Sequence, residues 1–215
     1  TPMLVIGALV LALLANRVTK MKRSLRVIFY LPSVLSVSIA SLIAKYTFTP
    51  YTGLINGTLH TLGLLPKSKE LQWLQDPHLV WITISVMTVW WTIGFSMLLY
   101  LSALQDISSD LYEAASIDGA SSMQHLFRIV LPLLKPTTWL VFLLQMIACF
   151  KVFGQIYMIT GGGPASSTRP LIQYIYENAF GKSNMGYASA MSYVLFGILL
   201  ILSLAQQILQ RKGEE

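Results

Sequence analysis

Charge is what this sequence has least of. Asp, Glu, Lys and Arg make up 11% of its 215 residues, against 54% hydrophobic, where a soluble domain carries about 25% charged residues. Set in long runs almost free of charge, that balance excludes an ordinary soluble domain and points to an integral membrane protein. Cysteine is nearly absent too. Cys149 stands alone inside an apolar run, which excludes a disulfide framework or a cysteine zinc site. There is no Gly-x-x-x-x-Gly-Lys-Ser/Thr phosphate loop, so the chain is not expected to bind ATP by that route, and His-Glu-x-x-His and Gly-x-Ser-x-Gly are missing as well. The three histidines, His60, His78 and His125, are scattered outside the apolar runs and read as solvated rather than metal-ligating. No catalytic set, metal or cofactor is expected. Strand-period alternation, repeats and low-complexity tracts are also lacking, which leaves an all-α reading.

What the sequence does contain is apolar length. Five runs read as spans: residues 2–16, 27–48, 79–104, 137–159 and 185–209. The first reaches only about 22 Å as a helix, short of a crossing. With Thr1-Pro2 at its head and no initiator methionine, it reads as the continuation of a span that begins further upstream. The other four exceed the roughly 20 residues a bilayer requires. The formal charge is +6, but the basic residues gather beside the spans, which orients a membrane protein rather than binding nucleic acid. Arg17, Lys20, Lys22, Arg23 and Arg26 follow the first run, and Arg211 and Lys212 follow the last. These segments are expected to be cytoplasmic. Parity then puts residues 106–136 in the cytoplasm and 49–78 and 160–184 outside, although 106–136 holds only Arg128 and Lys135 as basic residues. In the outer segments, Trp73 reads as a headgroup-level anchor. The run Thr160-Gly161-Gly162-Gly163-Pro164 reads as a helix stop where backbone passes close to a neighbour.

The segment 106–136 is too polar to cross a bilayer and too regular for a slack linker. Asp110 with Glu113 reads as a capping box opening a short helix, which Gly119 can end in a left-handed conformation. Ser121 with Gln124 reads as a second box. The helix it opens is expected to stop at Pro132 and Pro136, with Met123, Phe127 and Val130 packing it back on the core. Ala114 and Ala115 are small, strong helix formers suited to a close partner surface. Glu113 favours the helix start electrostatically.

Glu113-Ala114-Ala115, three residues, Gly119, nine residues, Ile129, one residue and Leu131-Pro132 resemble the signature EAA loop of ABC importer membrane subunits at every fixed position. Tyr112, Asp118 and Ala120 around it resemble the carbohydrate-importing branch, as do Leu31-Pro32 and Pro50-Tyr51-Thr52-Gly53-Leu54-Ile55-Asn56. Thr160-Gly161-Gly162-Gly163-Pro164, Tyr174-Ile175-Tyr176 and Gly186-Tyr187-Ala188-Ser189-Ala190 resemble the subunit type of the larger maltose permease and the first glycerol-3-phosphate permease. The resemblance covers essentially the whole chain. It implies a polytopic helical bundle of the type I ABC importer permease fold, a single permease domain over 1–215 in a bacterial cytoplasmic membrane. It further implies that Glu113, Ala114, Ala115, Asp118 and Gly119 dock into an ATPase subunit. The partners it implies are a second homologous permease, two ATPase subunits, an extracytoplasmic solute-binding protein, a sugar substrate and surrounding lipid.

Polar residues within spans are costly in lipid and usually face the bundle interior. Ser38, Ser41 and Lys45 form one stripe; Ser85, Thr88, Thr92 and Ser96 form another; Lys151 and Gln155 lie one turn apart. Hydroxyl-rich solutes need hydrogen bonds and flat apolar surfaces, so Lys151, Gln155, Thr88, Thr92, Trp91 and Tyr157 are the candidate pathway, with Trp90 beside them. Serine and threonine stripes equally serve close helix packing, and Lys45, near a span end, is expected to snorkel. Glycerol phosphate or an acidic oligosaccharide is the alternative cargo. An ion-gradient carrier is the rival of another class; it would favour ionisable groups buried in several spans, and only Lys151 is deep here.

Overall fold

In the computed structural model, residues 1–17, 22–66 and 68–212 are described, and all their regular structure is helical. The helices are α1 (Pro2–Arg17), α2 (Lys22–Val34), α3 (Val37–Thr47), α4 (Leu54–Thr61), α5 (Leu79–Gln105), α6 (Ser109–Ile117), α7 (Ser122–Gln124), α8 (Leu131–Leu133), α9 (Lys135–Phe150), α10 (Gly154–Ile159), α11 (Leu171–Tyr176) and α12 (Met185–Lys212). Of the basic residues that orient the chain, Lys20 and the side chains of Arg17, Lys22, Arg23, Arg211 and Lys212 lie outside the described residues.

Two helices, Leu79–Gln105 and Met185–Gln210, are long and apolar enough to cross a membrane, or up to four if each of two bent pairs counts as one span. Pro2–Asn16 is a shorter apolar helix. The second apolar run is therefore not one helix. It breaks after α2, where Ser36 takes an extended backbone and its hydroxyl accepts from the Ile39 N–H to open α3. The fourth run also breaks, at residues 151–153, between α9 and α10. Prolines 132 and 136 do not end their helix as expected. A π-helical turn, His125–Val130, precedes Pro132; it offers the wider ladder that a ring without an N–H requires. The helix Ser122–Leu133 then bends by 59° into Lys135–Phe150, where Pro136 occupies the tolerated first turn.

The chain divides into two compact units. One comprises Thr1–Ser33, Thr92–Cys149 and Ile201–Glu215. Its buried side chains include Ala8, Ala12, Ala15, Met97, Tyr100, Leu101 and Leu134, and small residues let backbones approach. At Gly94 this is extreme: a Cβ there would lie 2.0 Å from the Phe29 carbonyl oxygen. Two buried amides tie helices together. Gln145 Nε2 donates to Ser96 Oγ at 2.8 Å, and Gln206 Nε2 donates to the Trp139 carbonyl at 2.6 Å. Ser96→Ala leaves the Gln145 donor without that acceptor, which is expected to lower stability by about 1–2 kcal/mol; thermal denaturation in detergent against the parent chain measures it.

The other unit comprises Val34–Trp91 and Phe150–Leu200. Here α10 lies close on α3, because Gly154 presents only a hydrogen to Val37, whose Cγ2 would be 3.3 Å from a Cβ. Ala44, Phe48, Met87 and Ile159 form one buried cluster, roofed by Ile55, Trp73 and Leu74. Trp73 is half-buried: its indole N–H donates to Asn56 Oδ1 at 2.8 Å and its ring meets Phe48 edge-on. The glycine run takes the close-approach role expected of it. Gly161 and Gly162 have φ of 62° and 90°, and a Cβ on Gly162 would sit 2.8 Å from Gln173 Nε2.

Candidate functional site

The polar loop is built from caps. Ser108, not Asp110, opens α6: its hydroxyl accepts from the Asp110 N–H at 3.2 Å, and Asp110 sits in the first turn. A serine two places upstream offers the same acceptor chemistry, so the sequence alone does not separate the two. At the other end the Ala120 N–H bonds the Ala115 carbonyl at 2.9 Å and the Gly119 N–H bonds that of Ser116 at 3.1 Å. With Gly119 at φ 74°, this is the paired closure of a Schellman stop. One residue on, Ser121 and Gln124 close their capping box from both sides. Tyr112 stacks on His125, with ring centroids 6.0 Å apart and planes within 4°, fastening α6 to the following helix. Helix, turn and helix are thus fixed by backbone and side-chain bonds at each joint.

No residue of α6 is buried. Glu113 and Ala114 are exposed and Ala115 is half-buried. Ala115, Asp118 and Gly119, with Gln124, Arg128 and Ile129, line a shallow hollow of about 300 Å³. Met123 and Phe127 do not pack inward as expected; both are exposed, and only Val130 of that trio is buried. The π turn shifts the angular register of the helix, so a 3–4 spacing no longer keeps the three on one face. Ile117, not singled out from the sequence, is 87% exposed at the tip of α6. Its one signal was an aliphatic residue amid polar neighbours.

The candidate pathway residues fall in different settings. Lys151 is exposed in the break between α9 and α10, next to Phe153 with φ −146° and ψ −70°. Gln155, 5% exposed, and Thr88 bind each other: Gln155 Nε2 lies 2.9 Å from Thr88 Oγ1, which also bonds the Ile84 carbonyl at 2.7 Å. The pair joins α10 to α5. Trp91 donates from Nε1 to the Leu35 carbonyl at 3.1 Å and so holds the end of α2. Trp90 and Tyr157 are exposed, and Tyr157 contacts the rings of Phe153 and Tyr176 at 5.3 and 5.8 Å. Thr92 is half-buried in the other unit. Of the remaining stripes, Ser41 is buried and Ser38, Lys45 and Ser85 are exposed. Among the described residues no group of three or more His, Cys, Asp or Glu is placed to hold a metal. His60 is not simply solvated: it lies half-buried, with both ring nitrogens in hydrogen bonds.

Comparison with known proteins follows the same line. Residues 4–213 match the family described as binding-protein-dependent transport system inner membrane component. A probable ABC transporter permease, YurN of Bacillus subtilis, is 34% identical over 98% of this chain and 72% of its own length. The sulfoquinovosyl glycerol transport system permease SmoG of Agrobacterium fabrum is 36% identical over 87% of this chain and 60% of its own. The chain therefore spans between three fifths and three quarters of the length of these relatives. A solved bacterial alginate ABC transporter, in complex with an alginate pentasaccharide-bound periplasmic protein, has a chain that superposes with a TM-score of 0.87 at 25% identity, over 98% of this chain and 74% of that one. The chain belongs to the family of binding-protein-dependent transport system inner membrane components, the membrane permeases of ABC importers.

Proposed function

We propose that this chain forms one half of the translocation pathway of an ATP-driven carbohydrate importer in a bacterial cytoplasmic membrane, with the five apolar runs as its spans. The observation that carries the coupling half of this reading is the capped α6, none of whose residues is buried. An isoleucine 87% exposed at its tip is apolar surface that a cytosolic partner would cover. Residues 106–136 are the coupling loop. Glu113, Ala114, Ala115, Asp118 and Gly119 dock into an ATP-hydrolysing subunit, and two such subunits drive this chain and a second, homologous permease between inward- and outward-facing states. A solute-binding protein delivers the sugar from outside. The chain itself hydrolyses no ATP. In a Cys149→Ser background, Ala114→Cys is expected to form a zero-length disulfide with a cysteine placed on the ATPase cleft of the assembled complex. No cross-link at any position from 111 to 117 would remove the docking model.

A more specific cargo, an acidic carbohydrate, is favoured by Lys151. Helix breaks at membrane depth are tolerated where they line a water-filled cavity or are buried in protein, and an ammonium facing lipid is expensive. An exposed lysine in such a break is therefore placed to meet an anionic group. The rival ion-gradient carrier lacks acidic relays: α1, α2, α3, α5, α9, α10 and α12 contain no Asp or Glu. Lys151→Met is expected to cut uptake of an alginate oligosaccharide at least about tenfold, the worth of one 1.4 kcal/mol contact, while leaving that of a neutral disaccharide within about twofold. Equal effects on both would sink the charge-recognition role.

A further inference from the structure

The segment between α3 and α5 closes on one carboxylate. Glu70 Oε2 accepts from the Tyr51 backbone N–H at 3.1 Å and from Asn56 Nδ2 at 2.6 Å, while Oε1 lies 3.0 Å from His60 Nε2. Asn56, 1% exposed, also donates to the Leu71 carbonyl and accepts from Trp73. The other nitrogen of His60, Nδ1, lies 3.0 Å from the Leu65 carbonyl oxygen. The side chains of His60 and Glu70 are 15% and 11% exposed. One pair thereby fastens the turn at Tyr51, the end of α4, Leu65 and the residues around Glu70.

Both ring nitrogens of His60 face oxygen acceptors. A neutral imidazole can donate from only one nitrogen and would turn a lone pair on the other oxygen; the imidazolium donates from both. The site at the last turn of α4 also favours a cation, because the helix carbonyls point there. The Tyr51 N–H, opposed by partial burial and aided by His60 and Asn56, holds the Glu70 carboxyl below the usual carboxylate range, so it stays an anion around neutrality. Among the described residues, Glu70 is a titratable group that faces His60 from the neighbouring segment. Tyr51 and Asn56 meet Glu70 with uncharged groups, and the Asp76 carboxylate accepts from the His78 and Leu79 N–H groups at 2.8 and 3.1 Å.

We propose that His60 and Glu70 form a proton-controlled clasp that orders this loop when His60 is charged and releases it when the imidazolium loses its proton. The histidine's contribution is complete while the imidazolium persists and fades as the pH rises past its loss. The contribution of Glu70 is complete above the ordinary carboxylate range and fades only as the pH falls through its lowered value. The clasp is thus closed while His60 carries its second proton and Glu70 is ionised, and it opens when the imidazolium loses that proton. On the proposed topology this loop faces outward, where the binding protein lands, so external pH would set the order of that landing surface.

The test needs no transport substrate, so it can fail independently of the import reading. In the assembled complex in lipid nanodiscs, hydrogen exchange of the Leu64 and Leu65 amides, which bond the Leu59 carbonyl, is followed from pH 6 to pH 9 and corrected for intrinsic rates. Protection is expected to fall about tenfold, the equivalent of about 1.4 kcal/mol. In His60→Gln, which holds no exchangeable charge, protection is expected to be lower at pH 6 and flat with pH. A flat profile in the parent chain, or a slope that survives His60→Gln, overturns the clasp. Nitrogen-15 spectra of His60 supply a check without mutation: both ring nitrogens protonated at pH 7 supports it, and a single neutral tautomer overturns it.

Discussion

Gly94→Ala is expected to lower the stability of the chain by about 3 kcal/mol or more, near or beyond the usual limit for an overpacked site. The added methyl would sit 2.0 Å from the Phe29 carbonyl oxygen, 2.6 Å from its carbon and 2.8 Å from the Tyr30 Cα. All three are backbone atoms of α2, so no side chain can swing aside; the two helices must separate along their contact. Separation opens gaps among the buried side chains around it, and lost contacts at core density are expensive. Gly57→Ala in α4 and Gly197→Ala in α12 are the controls. A Cβ at either meets nothing within 4 Å, and alanine is the better helix former by up to about 1 kcal/mol. Thermal denaturation of the purified chain in detergent, with the yield of membrane-inserted protein, separates the three. A Gly94→Ala midpoint within about 2 °C of the parent, a shift too small for that energy, refutes the close-contact account.

How much of this was legible beforehand depends on whether the signal was local. The all-helical class followed from apolar runs without alternation. The Ser121–Gln124 box and the left-handed Gly119 followed from residue types at fixed short spacing, and the EAA pattern led to the family. The breaks at Ser36 and at residues 151–153 were not legible, because hydropathy registers apolar composition and is blind to backbone continuity. Ser108 and Asp110 are both good caps two residues apart, so spacing could not choose between them. Thr88 was visible as one of a stripe and Gln155 as a polar residue in a span. That they occupy each other is a fact about positions 67 apart in sequence. The knot on Glu70 likewise joins residues from 51 to 73 through contacts that no periodicity encodes. The capped loop over 106–136 was readable because its structure is made by near neighbours, and the polar contacts between helices less so because they are made by distant ones.

Gly119→Val, by contrast with Gly94→Ala, should leave the chain folded and stop it working. At this glycine nothing lies within 4 Å of an added Cβ, yet φ is 74°. The cost is conformational alone, about 1–2 kcal/mol for a side chain held left-handed, more for a β-branched one. That strain can be relieved locally by giving up the two bonds that end α6, the Ala120 N–H to Ala115 and the Gly119 N–H to Ser116. The helices on either side keep their own bonds, so insertion and thermal midpoint are expected to stay close to the parent. What changes is the aim of α6 and of Ile117 at its tip. A 1–2 kcal/mol bias shifts the populations of a two-state joint by a factor of about 5–30, and ATP-driven uptake by the reconstituted importer should fall by that factor while ATP hydrolysis falls much less. Gly119→Asn discriminates strain from bulk, since asparagine enters the left-handed region at lower cost and should retain most of the uptake. If valine at 119 preserves the ratio of solute moved to ATP hydrolysed, then the rigid turn does not transmit force and the coupling role of this loop must be given up.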